Sequence, residues 1–99
     1  MEQKISTLRA ELSALQTRLT DPAIFSTPEY PKLAKRQSYL ESTIAAYDNL
    51  TDAQEQLLQA HDLAASGGEL AELAELEVTE LNEKVAQLSQ QLDEALTPK

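Results

Sequence analysis

The chain has 99 residues, 17 acidic and 8 basic side chains, a net charge of -9 and no cysteine. This length allows one small domain at most, and the missing cysteines exclude a disulfide framework, a cysteine-based zinc cage and a thiol nucleophile. The acidic balance argues against a nucleic-acid-binding module, which normally presents a basic face. Neither a membrane-spanning apolar run nor a signal peptide is recognisable, so we expect a cytoplasmic protein with no membrane contact.

The first helix is predicted over about residues 3–19. Its apolar residues are spaced alternately three and four positions apart, and this spacing places them on one face of the helix. They are Ile5, Leu8, Leu12, Leu15 and Leu19. After this pattern stops, Asp21 is expected to cap a short turn that has Pro22 in its first position. Residues 20–28 are predicted to form a loop, in which Phe25 is expected to plug the end of a helical bundle.

The second helix is predicted over about residues 29–65. Thr27 is expected to cap it, but Pro31 disfavours helical geometry at the residue before it, so its start is expected between 28 and 31. The apolar face of this helix carries Leu33, Leu40, Ile44, Tyr47, Leu50, Leu57, Leu58 and Leu63, and His61 is expected at the edge of this face or on the surface.

The middle of the second helix contains a weak point at residues 49–52. Thr51 followed by Gln54 matches a capping box, which would start a new helix there. No glycine or proline occurs between residues 32 and 66, however, and this favours one long helix over a break.

Gly67 and Gly68 are expected to end the second helix, because glycine after the last turn adopts the left-handed conformation that satisfies the free carbonyls. The turn is predicted at about residues 66–68 and the third helix at about 69–96, with Pro98 beyond its end. The apolar face of the third helix carries Leu70, Ala74, Val78, Leu81, Val85, Leu88, Leu92 and Ala95.

These elements predict an all-α fold, since no period-two strand pattern occurs. Short links between long amphipathic helices imply antiparallel neighbours. We therefore expect a single helical domain over residues 1–99. It would be an elongated, coiled-coil-like antiparallel three-helix bundle with a long central helix.

The sequence contains no recognisable catalytic, cofactor or metal site. His61 is the single histidine and has no cysteine partner, whereas a zinc site needs three or four clustered ligands. The carboxylates are spaced as solvated helix charges, and a thin bundle has no pocket to separate their pKa values. Phosphate-binding loops and nucleophile elbows are absent from the sequence. No enzymatic activity, cofactor or small-molecule substrate is therefore expected.

Charge is distributed unevenly between the two halves of the chain. Residues 1–50 are neutral, and the whole net charge lies in residues 51–99. Lys32, Lys35 and Arg36 form a small basic cluster that could contact a phosphate backbone, although solvated surface charge is the commoner role of such residues. The residues themselves thus indicate an acidic three-helix interaction or spacer module.

Three segments carry a more specific resemblance. Residues 18–25 (RLTDPAIF) resemble the L-x-D-P-E-V segment of the bacterial class I peptide chain release factors, and residues 30–40 (YPKLAKRQSYL) resemble that family's Y-x-K-L-x-K-E helix. Residues 96–99 (LTPK) are similar to the ending found in the branch that reads UAA and UAG. The sequence departs from the family pattern at Arg36, which replaces an acid, and at Gly67, where the link to the third helix is shorter.

The resemblance implies the N-terminal helical domain of a longer factor, cut at a domain boundary. In this family the catalytic Gly-Gly-Gln loop and the codon-reading tripeptide lie in later domains, so Gly67 and Gly68, which precede Glu69, receive no catalytic role. The domain would be an accessory ribosome-docking module at the stalk base of the large subunit. Its partners would be ribosomal protein, rRNA and the remaining domains of the factor.

Within this interpretation, Lys32, Lys35 and Arg36 are the candidate ribosome contacts. The alternative is a stand-alone acidic coiled-coil adaptor or chaperone-like interaction protein. The native reading frame beyond Lys99 separates the two, because only a release factor would continue to a Gly-Gly-Gln motif.

Overall fold

The computed structural model describes residues 1–98 and is built from helices, as the sequence predicts. In chain order the elements are α1 (Glu2–Arg18), a short 3-10 helix (Pro22–Ser26), α2 (Tyr30–Ala65) and α3 (Ala71–Leu96). No strand occurs in the described part of the chain, and the predicted all-α class is confirmed. The chain divides into two compact units, one at Met1–Ala45 and one from Ala46 onwards, and α2 contributes to both.

In the first unit, α1 runs antiparallel to the first part of α2. Glu11 in the middle of α1 binds Arg36, whereas Arg18 at the end of α1 binds Glu29 just before α2 begins. A residue later in α1 therefore pairs with a residue earlier in the segment around α2, as antiparallel helices require. The buried residues of this unit are Ile5, Leu8, Leu15, Leu40, Thr43 and Ile44.

The connection between α1 and α2 is organised by Asp21, as predicted. Its carboxylate accepts a hydrogen bond of 3.0 Å from the backbone N–H of Ala23, and Pro22 occupies the first position of the 3-10 helix. The expected role of Phe25 is wrong, because its side chain is 56% exposed. The short helix turns Phe25 outward, where its ring packs edge-on against Tyr30 with the ring centres 5.0 Å apart.

Helix α2 is continuous from Tyr30 to Ala65, so the alternative break at residues 49–52 does not occur. The hydroxyl of Thr51 does not cap a new helix. It donates a 2.7 Å hydrogen bond to the carbonyl of Tyr47, one turn earlier in the same helix. A threonine that bonds back in this way stays within a helix instead of starting one.

The second unit is formed by the second half of α2 and by α3, with the chain reversing at residues 66–70. Its buried residues are Leu50, Ala53, Ala60, Ala74, Leu81 and Leu92. Helix α3 begins at Ala71 instead of near residue 69, because the turn extends further than predicted. The backbone N–H of Ala71 bonds to the carbonyl of Gly68 at 3.1 Å, so Gly68 still belongs to the turn.

Gly67 has the positive backbone angle that the sequence predicts for the end of α2, with φ at 70°. A Cβ atom added at Gly67 would meet no atom within 4 Å, so the requirement for glycine is conformational and not steric. The left-handed conformation is open to glycine because it has no Cβ atom to collide with its own backbone.

Replacing Gly67 with alanine is expected to destabilise the protein by about 1–2 kcal/mol, the cost of holding an L-residue in the left-handed conformation. Urea denaturation measures the change. Gly68→Ala is the matched control, since its φ is not positive and its Cβ would be 4.0 Å from the nearest atom. Equal effects of the two substitutions would contradict this explanation.

Candidate functional site

The two units differ sharply in charge. The first holds five acidic and six basic residues, a net charge of +1, whereas the second holds twelve acidic and two basic residues, a net charge of -10. Any partner that recognises charge must therefore distinguish the two units.

The predicted basic cluster lies in the first turns of α2, and all three side chains are exposed. Arg36 is already engaged. Its Nε and Nη2 atoms donate to the Glu11 carboxylate at 2.5 and 2.8 Å, and its guanidinium carbon lies 5.0 Å from the centre of the Tyr39 ring. Lys32 and Lys35 keep exposed ammonium groups one helical turn apart, which leaves these two as the stronger candidates for contact with an anionic partner.

Two hydrogen bonds between Glu11 and Arg36 connect α1 to α2. The hydrogen bond from Arg36 lowers the pKa of Glu11, partial desolvation of the carboxylate opposes this effect, and the positive charge of Arg36 lowers the pKa further. A bidentate arginine–carboxylate pair also fixes the relative position of the two side chains, because the two planar groups must align.

Glu11→Gln is expected to lower the free energy of unfolding near neutral pH by about 0.5 kcal/mol, since both partners are partly exposed and screened. Because the folded-state pKa of Glu11 lies below its unfolded value, this contribution is present above the unfolded pKa and is lost as the pH falls through the folded pKa. The difference between variant and parent should therefore vanish in acid. Urea denaturation across this pH range, repeated in an Arg36→Gln background where Glu11→Gln should have less effect, checks the result.

The second unit exposes apolar surface that its helices do not bury. Leu70, Leu73 and Leu76 lie at three-residue steps from the start of α3, with exposed fractions of 54%, 64% and 63%. We call these three residues the leucine stripe. On α2, Leu58 and Leu63 are also exposed.

The predicted apolar faces are therefore wrong for Leu58, Leu63 and Leu70. The buried positions of α2 in this unit are Leu50, Ala53 and Ala60, and Leu58 lies well round the helix from them, since each residue adds about 100°. Leu63 lies in the last turn of α2 and Leu70 directly precedes α3, and both are exposed.

Sequence reasoning missed Leu73 and Leu76. The signal was present, because both leucines fall outside the stepped pattern of buried residues that includes Ala74 and Leu81. Leu76 is two residues from Ala74, about 200° round the helix, so it must lie on the outer face of α3. Five exposed glutamates accompany the stripe along this part of the chain: Glu69, Glu72, Glu75, Glu77 and Glu80.

Within residues 1–98, no three His, Cys, Asp or Glu side chains form a group that could hold a metal ion. His61 is exposed on α2. A shallow groove on α3 is lined by Gln87, Gln90, Gln91 and Glu94.

The helices were also considered as membrane spans, for which both length and hydropathy matter. Across residues 1–98, none combines the length and the apolarity that crossing a lipid bilayer demands.

Comparison with known proteins gives a consistent match along the chain. The profile of the PCRF domain family matches residues 8–99. A Mycobacterium avium protein named peptide chain release factor 1 is 37% identical over 98 residues, which cover 98% of this chain and 26% of that protein. Proteins of the same name from Chloroherpeton thalassium and Chlorobaculum tepidum are 31% and 30% identical over 102 residues, covering all of this chain and 28% and 29% of theirs.

The chain thus spans between a quarter and a third of the length of these curated relatives. No solved structure matches it significantly.

Proposed function

The chain belongs to the PCRF domain family, and from this premise we propose that it is the N-terminal helical domain of a release factor that acts in translation termination at UAA and UAG codons. Its role would be to dock the factor on the ribosome, at the stalk base of the large subunit. The observation that carries the proposal is the match to release factor 1 proteins along the whole chain, at 30–37% identity.

The proposed role is accessory and not catalytic. Gly67 and Gly68 are followed by Glu69 and not by glutamine, and Gly67 serves the turn between α2 and α3. Peptide release would depend on other domains of a longer factor, which would be covalent partners of this one. The site of action would be the cytoplasm, where ribosomes translate.

The division of charge supports contact with two kinds of ribosomal surface. The first unit offers Lys32 and Lys35 as the groups best suited to an rRNA phosphate, with Arg36 held by Glu11. The second unit, with its net charge of -10, would be repelled by rRNA and is better suited to ribosomal protein.

A competition experiment tests docking. A fluorescently labelled chain is titrated with 70S ribosomes, and the unlabelled release factor 1 of Mycobacterium avium is then added. We expect binding that the full-length relative displaces, because both would use the same ribosomal surface. Absence of binding, or binding that is not displaced, would contradict the proposal and favour a stand-alone adaptor.

A release assay tests the accessory character. With ribosomes that hold a stop codon and a peptidyl-tRNA, the chain alone is expected to release peptide no faster than the reaction without any factor. The full-length relative serves as the positive control. Release by the chain above the background rate would overturn the non-catalytic assignment.

A further inference from the structure

We propose that the leucine stripe of Leu70, Leu73 and Leu76 docks into an apolar pocket of a large-subunit ribosomal protein, and that lysine and arginine side chains edge this pocket. This inference rests on the proposed ribosome docking and adds the contact surface and the chemistry of the partner.

The first support is the position of the stripe. Leu73 and Leu76 are each more than 60% exposed, while Ala74, between them in sequence, is buried. The two leucines therefore add little to the packing of α2 against α3. Neighbouring leucines exposed on one helix indicate a surface that another molecule covers, because isolated exposed leucines are common but grouped ones are not.

The second support is the charge around the stripe. Glu72 and Glu75 alternate with the leucines along α3, and Glu69, Glu77 and Glu80 lie on either side in sequence, all of them exposed. A surface that is apolar along one line and acidic around it is complementary to an apolar pocket with a basic edge.

The same charges decide between the classes of occupant. A second copy of the chain would bring this acidic surface against itself, and the repulsion of like charges disfavours that pairing. An RNA surface would meet the glutamates with its phosphates and offer the leucines no apolar pocket. A basic protein surface satisfies both the leucines and the glutamates.

The experiment is a titration of the fluorescently labelled chain with 70S ribosomes. Leu73→Ser combined with Leu76→Ser is expected to weaken binding by about tenfold or more, since exposed leucines that fill a pocket contribute strongly to affinity. Leu58→Ser is the matched control, because Leu58 is 64% exposed like Leu73 but lies on α2. It should leave binding unchanged, and circular dichroism should show all the variants equally helical.

The outcomes distinguish a failure of the proposed leucine contact from a failure of ribosome docking as a whole. If the parent chain binds ribosomes and the double variant binds equally well, the leucine stripe is not the contact, although docking stands. If the parent chain does not bind, both the docking and this inference fail. Equal weakening by Leu58→Ser would also overturn the inference, because it would show a general effect of lost apolar surface.

Cross-linking identifies the class of partner. With benzoyl-phenylalanine in place of Leu73, irradiation of the ribosome complex is expected to join the chain to a large-subunit protein. Cross-links to rRNA would overturn the proposal. So would a dimer of the chain in light scattering that the double leucine variant abolishes.

Discussion

Replacing Leu40 with alanine is expected to lower the free energy of unfolding by about 2–5 kcal/mol. Leu40 is fully buried in the first unit, so the substitution removes apolar contacts and leaves a cavity that the rigid helices can fill only in part. For a protein of this size such a loss is a large fraction of the total stability. Urea denaturation followed by circular dichroism measures it.

Leu58→Ala is the control for this experiment. The residue lies on the same helix, α2, and undergoes the same chemical change, but its side chain is 64% exposed. A change within about 0.5 kcal/mol is expected, as for most surface substitutions. If the two variants lost similar stability, the assignment of Leu40 to the core and of Leu58 to the surface would be wrong.

A proline at position 52 is expected to cost about 3 kcal/mol or more, because it removes a backbone hydrogen bond and collides with the preceding turn of a continuous helix. Asp52 is exposed within α2, so its own side chain contributes little. The loss of stability in Asp52→Pro therefore measures the disruption of the helix backbone and not the loss of the side chain.

The same substitution also discriminates between the two arrangements that the sequence left open. If Thr51 capped a new helix, position 52 would be its first residue, where proline is well tolerated. A small effect of Asp52→Pro would therefore contradict a continuous α2. Asp52→Ala controls for the loss of charge and should change stability by less than about 0.5 kcal/mol.

Local sequence signals were sufficient for the helices and the chain reversals. Asp21 with Pro22 marked the short helix, and Gly67 marked the end of α2, because each residue type acts on its own backbone. The apolar periodicity likewise identified Ile5, Leu40 and Leu81 among the buried residues.

These local signals could not predict which residues of neighbouring helices contact each other. Glu11 and Arg36 are 25 residues apart, and periodicity along one helix does not tell which residue of its neighbour lies opposite. Arg36 was consequently expected to be as available as Lys32, whereas the structure pairs it with Glu11 and places it over Tyr39.

The exposed leucines were hard to predict for a related reason. A leucine is assigned to the core by default when the surface that faces it is unknown, and Leu63 in the last turn of α2 and Leu70 just before α3 were both assigned in this way. The small residues Ala53 and Ala60 occupy buried positions of α2 that an assignment based on leucines overlooks. The sequence pattern of α3 left out Leu73 and Leu76, but it counted Leu70 as apolar face, so the complete leucine stripe required the exposure of each residue.

The central claim is that this chain docks on the large ribosomal subunit. The most direct test is to sediment the chain separately with purified 50S and 30S subunits and to measure the bound fraction. The account predicts that the chain sediments with the 50S subunit and stays in the supernatant with the 30S subunit. Failure to bind the 50S subunit, or equal binding to both subunits, would contradict it.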